Sequence, residues 1–154
     1  MDYEQAVEDF YTSVLRPGDT AVDCGAHEGR HTAPMQRLIG STGHLYAFEP
    51  LPAIFAALEH KFGTSRNVML NNFALGTETG TSSFVYVPDD PGYSGFQERT
   101  YPDDTIRRET ITVNVRRLDE VVPTEGIRYI KIDAEGGDLM IMRGAEGILA
   151  KSRP

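Results

Sequence analysis

The sequence is poor in cysteine and in basic residues, and each shortage excludes a class of protein. With Cys24 as the single cysteine, no disulfide can form within the chain, so the fold does not depend on an oxidising compartment. No apolar run reaches the ~18 residues of a membrane-spanning helix, and charged residues interrupt positions 1–15, where a signal peptide needs an apolar core. We therefore expect a cytoplasmic protein with no membrane partner.

Basic residues are outnumbered by acidic ones, 15 Lys and Arg against 23 Asp and Glu, which gives a formal net charge of -8. A protein that binds nucleic acid needs a basic face for the phosphates, so we expect no nucleic-acid partner. The length of 154 residues with 40% apolar side chains is typical of one soluble domain with one core.

The first half of the chain alternates short apolar segments with segments of helical periodicity. The predicted strands are 20–24, 44–50 and 68–72, and the predicted helices are 3–15, 32–40 and 51–63. Apolar strands that alternate with amphipathic helices form a parallel sheet with right-handed crossovers. We therefore predict an α/β fold with a doubly wound, mostly parallel sheet.

The second half departs from this alternation. Segments 81–87 and 110–118 have the period-two pattern of strands, and we expect them to pair as a β-hairpin insertion. The long connection at 88–108, which contains Ser94, Gly95 and Phe96, has the length of a functional loop and is interpreted as a mobile lid. A buried strand at 127–133 and a single helix at 137–150 complete the prediction.

The predicted last helix would be left partly uncovered by a sheet of so few strands. Leu139, Met142, Ala145 and Leu149 recur on one of its sides. We expect residue 154 to be a truncation point, with the last strands of the sheet missing. Alternatively, a second chain covers the exposed sheet edge, as in a homo-oligomer.

A glycine-bearing loop between the first strand and its helix is the first candidate site. In VDCGAHEGRHT (22–32), Asp23 ends the strand, Gly25 and Gly29 allow close approach of a ligand, and the helix start offers free N–H groups. Glu49 ends the next strand, 20 residues after Gly29, where an acid accepts hydrogen bonds from both hydroxyls of a ribose. The simpler alternative is a turn that only connects strand to helix.

This loop is not the nicotinamide fingerprint G-x-G-x-x-G. Asp23 and Glu28 occupy the positions of its outer glycines. An acid at the start of the loop would also repel a pyrophosphate, whereas it suits a cationic ligand. A nicotinamide-dependent oxidoreductase is therefore the less favoured alternative.

Several linked stretches resemble the FkbM family of class I S-adenosylmethionine methyltransferases. The family pattern I-K-I-D-x-E-G followed by L-x-x-x-x-G-A matches IKIDAEG (130–136) with Leu139, Gly144 and Ala145. DCGAHEG (23–29) resembles D-x-G-A-N-x-G, with His27 in place of the usual asparagine. Further similar stretches are AFEPLP (47–52), NNFALG (71–76) and RRLDEVV (116–122), so that the resemblance covers residues 14–154.

The resemblance implies a Rossmann-like fold, in a single methyltransferase domain over 1–154 that is incomplete at its C-terminal end. It implies S-adenosyl-L-methionine as the cofactor and transfer of its methyl group to a hydroxyl oxygen of a sugar or natural product. The expected partner is therefore a small-molecule or glycan acceptor. The alternative is a cofactor-binding module or fragment without catalysis of its own. The departures at His27 and at the C-terminal end bear on the loop contacts and on activity.

The predicted site residues lie where the strands of an open α/β sheet end, which is where ligands bind. Asp23, Gly25 and Gly29 are expected to hold the amino acid portion of the cofactor, Glu49 its ribose, and Asn72, Phe73 and Ala74 its adenine. The full predicted cofactor-binding set is Asp23, Gly25, Ala26, His27, Gly29, Glu49, Pro50, Asn72, Phe73, Ala74 and Asp133.

Asp133 and Glu135 are the predicted catalytic residues. They are two positions apart, so an extended segment points both the same way, towards an acceptor hydroxyl that one of them orients or deprotonates. Alternatively, Glu135 and Asp138 form an acidic cap on the next helix. Lys131 is expected on the other face of the strand. His27, His31 and Asp133 as metal ligands are a weaker alternative, and we expect no metal.

Overall fold

The computed structural model describes residues 2–96 and 105–154. The helices are α1 (Tyr3–Val14), α2 (Thr32–Ile39), α3 (Pro52–Phe62), α4 (Leu118–Val121), α5 (Asp138–Arg143) and α6 (Glu146–Lys151), with a 3₁₀ turn at Pro91–Tyr93. The strands are β1 (Thr20–Cys24), β2 (His44–Phe48), β3 (Val68–Asn71), β4 (Ala74–Leu75), β5 (Gly80–Tyr86), β6 (Glu109–Arg116) and β7 (Ile127–Ile132). Within these described residues, no helix has the length and apolar character needed to cross a bilayer.

The main sheet has the strand order β3-β2-β1-β7, and all of its pairs are parallel. Cys24 at the end of β1 pairs with Phe48 of β2 and with Ile132 of β7, and Phe48 pairs with Asn71 of β3. The segments that follow these four strands therefore meet along one rim. This arrangement confirms the predicted Rossmann-like α/β sheet.

The strands alternate their side chains between two apolar layers, as a pleated sheet requires. Ala21 and Leu45 pack on one side with Tyr11 of α1 and Met35 of α2. Val22, Cys24 and Phe48 pack on the other side in a cluster with residues of α4, α5 and α6, which are Leu118, Ile141 and Ile148. Both faces of the sheet are thus covered, and its strand ends open at the rim.

The predicted hairpin insertion is confirmed: β5 and β6 pair antiparallel from Gly80↔Val115 to Tyr86↔Glu109. A further two-residue strand, β4, was not predicted, and it adds to β6 in parallel through Ala74↔Val115. These three strands form a second sheet with the order β4-β6-β5. Two residues are too few to show a period, so the sequence carries no signal for this strand. Part of the predicted lid, residues 97–104, lies outside the described residues.

The prediction of one helix over 137–150 is wrong, because the chain breaks it into α5 and α6 around Gly144. A Cβ at Gly144 would overlap the carbonyl oxygen of Gly76, the residue that follows β4. The carboxylate of Asp119 accepts hydrogen bonds from the N–H groups of Gly147 (2.8 Å) and Ile148 (2.9 Å), and so starts α6 separately. A contact with a distant segment, invisible in the local pattern, sets this break.

The predicted apolar side of this segment is only partly buried. Ala145 is buried, whereas Leu139, Met142 and Leu149 are 56%, 41% and 40% exposed. Met142 and Leu149 line a groove beside the outer strand β7, together with Tyr129 of that strand. The expectation of an incompletely covered last helix agrees with this exposure.

Candidate active site at the rim of the sheet

A cleft of about 250 Å³ opens at the carboxyl ends of the parallel strands, and we call it the rim cleft. It is lined by segments that follow β1, β2, β3 and β7, by β5 and the 3₁₀ turn that comes after it, and by the N-terminal helix α1. Nine of the predicted site residues line it, which are Gly25, Ala26, His27, Glu49, Pro50, Phe73, Ala74, Asp133 and Glu135. The rim of the sheet therefore brings together most of the predicted site.

Asp23 does not line the rim cleft, although it was predicted to hold the cofactor. Its side chain is fully buried, and its Oδ2 accepts a hydrogen bond from the Thr32 hydroxyl at 2.7 Å. Burial raises the pKa of Asp23, while the ammonium of Lys131 and the Thr32 hydrogen bond act in the opposite direction. Its position makes Asp23 a buried charge beneath the loop.

Gly29 and Asn72 also support the rim cleft from outside its lining. Gly29 has φ +86°, and a Cβ there would overlap the ring of Phe62, so this glycine lets α3 pack against the loop. The amide of Asn72 donates to the carbonyl oxygens of Glu49 (2.9 Å) and Pro50 (3.2 Å). These hydrogen bonds connect the end of β3 to the segment that follows β2.

Glu49 is the best-anchored carboxylate at the rim cleft. Its Oε1 accepts the N–H of Leu51 at 2.8 Å and its Oε2 accepts the N–H of His27 at 3.0 Å. The residue is 4% exposed, and burial raises its pKa to about 7 against the opposing effect of these two hydrogen bonds. Each oxygen keeps a further lone pair, so Glu49 can still accept hydrogen bonds from a ligand.

The loop after β1 is pressed against the end of β7. Gly25 has φ +81°, and a Cβ there would overlap the carbonyl oxygen of Asp133. Only glycine fits this position without strain and without moving the neighbouring backbone. The next residue but one, His27, also has a positive φ of 48°, which directs its N–H to Glu49.

Lys131 does not point to the opposite face, and this expectation is wrong. Positions 131 and 133 have the same parity along the strand, so their side chains share a face. The Lys131 ammonium lies 3.4 Å from Asp23 Oδ1 and 3.5 Å from Asp133 Oδ2, and it lines the rim cleft. Its side chain is only 7% exposed, so a buried cation sits between the two carboxylates.

The predicted catalytic pair lies at the mouth of the rim cleft. The Asp133 side chain is 51% exposed, and Glu135 is half-buried in a turn with a positive φ of 48°. For the helix-cap alternative, Asp138 lies in the first turn of α5 and accepts the N–H of Ala134 at 3.0 Å, whereas Glu135 lies two residues before the N-cap Gly137. Both carboxylates can therefore face a ligand that enters from solvent.

Sequence reasoning missed two parts of the lining. One is the pair Phe48 and Phe84, whose rings extend the lining around Phe73 and Phe96: the ring centroids of Phe48 and Phe73 lie 5.6 Å apart, and those of Phe84 and Phe96 lie 5.2 Å apart. The other is a polar group formed by Glu4, Arg30 and His31 where α1 reaches the cleft. The order of the strands indicated which segments share the rim, but it carried no signal for α1.

Comparison with known proteins bears on this geometry. Residues 23–154 match the sequence profile of the methyltransferase FkbM domain. Methyltransferase 1 of Beauveria bassiana (strain ARSEF 2860) is 26% identical, over 91% of this chain and 64% of that protein. Methyltransferase sdnD of Sordaria araneosa is 27% identical, over 81% of this chain and 60% of that protein.

The chain therefore spans about three-fifths of the length of these curated relatives. Among solved structures, Aeropyrum pernix fibrillarin, in complex with natively bound S-adenosyl-L-methionine, is 19% identical, with a TM-score of 0.39, over 46% of this chain and 32% of that chain. The profile match covers most of the sequence and includes every residue of the predicted site. The chain belongs to the FkbM methyltransferase domain family.

Proposed function

We propose that this chain binds S-adenosyl-L-methionine in the rim cleft and directs its methyl group to a hydroxyl oxygen of a sugar or natural product. The observation that carries the proposal is the buried Glu49 carboxylate, which two backbone N–H groups hold at the cleft. Membership of a methyltransferase family supports methyl transfer over hydride transfer as the reaction.

The donor groups of the rim cleft fit the chemical parts of this cofactor. Glu49 would accept the hydroxyls of the ribose through the lone pairs that His27 and Leu51 leave unused. Phe73 and Ala74, in the segment that follows β3, belong to the apolar wall that suits a planar adenine. The segment after β1 lies beside that of β2 in the sheet order, so the amino acid portion would lie there.

Charge also fits the cofactor, which carries a sulfonium and an ammonium group. Asp23 and Asp133 flank the single ammonium of Lys131, so the three groups together carry a net negative charge when ionised. A negative cluster at the end of β1 and β7 attracts a cationic ligand. Lys131 offsets the charge of Asp23, the acid at the start of the glycine loop, and the charge of Asp133 then remains for the ligand.

The chemistry divides between the cofactor and the protein. The cofactor, when bound, supplies an electrophilic methyl group. The protein's contribution is to hold the acceptor hydroxyl in line, because positioning is the main requirement of such a transfer. Asp133 or Glu135 would accept the hydrogen bond of that hydroxyl and take up its proton as the oxygen is methylated, and Lys131 would hold the carboxylate of Asp133.

A calorimetric titration with S-adenosylhomocysteine tests cofactor binding. We expect the wild-type chain to bind it and Glu49→Gln to bind about tenfold or more weakly, because a charged acceptor of ribose hydroxyls is lost. Glu59→Gln is the matched control, since Glu59 is an exposed residue of α3 that lies outside the cleft lining. A folded wild-type chain that does not bind would contradict the proposal.

Methyl transfer itself is tested with labelled S-adenosyl-L-methionine and a panel of sugars and hydroxylated natural products. We expect Glu135→Gln to reduce transfer while affinity for S-adenosylhomocysteine changes little. Binding without transfer to any acceptor would favour the alternative of a cofactor-binding module. An oxidised nicotinamide dinucleotide serves as the negative control, and we expect it not to bind.

A further inference from the structure

Helix α1 contributes a carboxylate to the rim cleft although it precedes the region that matches the family profile. Glu4 lies in the first turn of α1, whereas the match begins at Asp23. The Glu4 side chain is 47% exposed and lines the cleft together with Arg30 and His31. The profile thus accounts for the glycine loop but not for the acid that reaches it.

A chain of hydrogen bonds from the core holds this carboxylate. The fully buried Tyr11 hydroxyl lies 3.2 Å from His31 Nδ1, and His31 Nε2 lies 2.6 Å from Glu4 Oε2. Burial raises the pKa of Tyr11, so its hydroxyl keeps a proton to donate to Nδ1. Nε2 can then donate to Glu4 while Nδ1 meets the Tyr11 hydroxyl, so that both ring nitrogens have a partner.

The contacts of Glu4 leave one oxygen for a ligand. Arg30 Nε lies 3.2 Å from Oε2, the same oxygen that accepts from His31. Among residues 2–96 and 105–154, the hydrogen bond to the Glu4 carboxylate is made to Oε2, from His31, and none is made to Oε1. The carboxylate is therefore fixed by one oxygen and offers the other to a cationic group.

We propose that Glu4 accepts the ammonium group of the cofactor's amino acid portion through Oε1, with His31 and Tyr11 as positioning residues. This inference rests on the proposed function. It moves the ammonium contact away from Asp23, which is fully buried and engaged by Thr32 and Lys131. An ammonium is a cation with donors only, so it needs an accessible acceptor of negative charge.

The test compares two ligands on two proteins by calorimetry, with displacement where binding is weak. The ligands are S-adenosylhomocysteine and its deaminated analogue, in which a hydrogen replaces the amino group. We expect Glu4→Gln to bind S-adenosylhomocysteine about tenfold more weakly than wild type does. This loss is in the lower range for a charge-assisted hydrogen bond at a half-exposed site. The deaminated analogue should bind wild type and Glu4→Gln equally, because the interacting group is absent.

Glu8→Gln is the matched control for loss of charge on α1. Glu8 lies one turn further along the helix and also faces Arg30, with 3.7 Å between Glu8 Oε2 and Arg30 Nη1. Unlike Glu4, it does not line the cleft. We expect this variant to bind both ligands as wild type does. Tyr11→Phe tests the positioning role. It should bind S-adenosylhomocysteine more weakly and the deaminated analogue as wild type does, whereas a purely structural effect would weaken the binding of both ligands.

The outcomes separate the two proposals. If wild type binds neither ligand, the proposed function fails. If wild type binds S-adenosylhomocysteine and Glu4→Gln binds it equally well, the role of Glu4 is overturned while the cofactor site stands. The role is also overturned if Glu4→Gln weakens both ligands to the same extent, because the effect then arises from the packing of α1.

Discussion

Lys131 Nζ lies 3.4 Å from Asp23 Oδ1, so that a buried ammonium meets a fully buried carboxylate beneath the glycine loop. The contact is an ion pair without hydrogen-bond geometry, and Oδ1 accepts no hydrogen bond from the described residues. Asp23 and Lys131 are also direct neighbours in the register of β1 and β7. The pair therefore links the two central strands at the point where they reach the rim cleft.

Removal of this ammonium should strongly destabilise the fold. In Lys131→Met, Asp23 is left as a buried acid without its cation, and we expect the free energy of unfolding to fall by about 3 kcal/mol or more. Urea denaturation measures this loss. Lys61→Met is the control, since the exposed pair of Lys61 with Glu28 at 3.8 Å should contribute less than about 1 kcal/mol. Equal effects of the two substitutions would contradict the assignment.

The raised pKa of Glu49 should make stability depend on pH in a defined direction. Its pKa is about 7 in the folded chain against an ordinary value of 4.5, so the folded state holds the proton more tightly. The stabilisation is complete below about pH 4.5 and is lost as pH rises towards 7, by at most ~3 kcal/mol. Urea denaturation of wild type and Glu49→Gln across this range should show a difference that changes with pH. A constant difference would contradict the shift.

Cofactor binding should release a proton from Glu49 near pH 6.5. Ribose hydroxyls that donate to this carboxylate favour its ionised form and lower its pKa in the complex. Titration with S-adenosylhomocysteine in two buffers of different ionisation enthalpy should therefore give different observed heats. Glu49→Gln has no proton to release, so its observed heats should differ much less between the buffers. Equal buffer dependence in both proteins would place the proton elsewhere.

The close approach at Gly25 should make this position intolerant of any side chain. Gly25→Ala combines the strain of φ +81° with overlap on the carbonyl oxygen of Asp133, and we expect a loss of about 3 kcal/mol or more. Gly126→Ala is a matched control, because Gly126 has φ +82° but no atom within 4 Å of an added Cβ. That variant should lose only about 1–2 kcal/mol, the cost of the backbone conformation alone. Similar losses in thermal or urea unfolding would remove the overlap as a cause.

Much of the fold follows from local signals. The strand at 20–24 and the start of the first helix at Tyr3 each depend on neighbours in sequence, and the structure has both where they were predicted. The break at Gly144 depends instead on Gly76, nearly seventy positions away. Contacts over such separations leave no local periodicity, and for this reason one helix was predicted where two form.

The site divides in the same way. The segments after β1, β2, β3 and β7 were predicted to meet, because parallel strands present their carboxyl ends at one rim. The burial of Asp23 was not predictable from its position at a strand end, since Thr32 and Lys131 cover it. Glu4 was not predictable either, because its place depends on how α1 docks against His31 rather than on any spacing.

The two-residue strand β4 has a mechanical consequence. Ala74 lines the rim cleft, and Leu75 and Gly76 immediately after it bond to β6, with Gly76 N–H donating to Arg116 O at 3.0 Å. The pairing of β4 with β6 therefore joins the wall of the cleft to the hairpin. A tilt of β5 and β6 would therefore shift this wall of the cleft, and a ligand that holds the wall would restrain the hairpin.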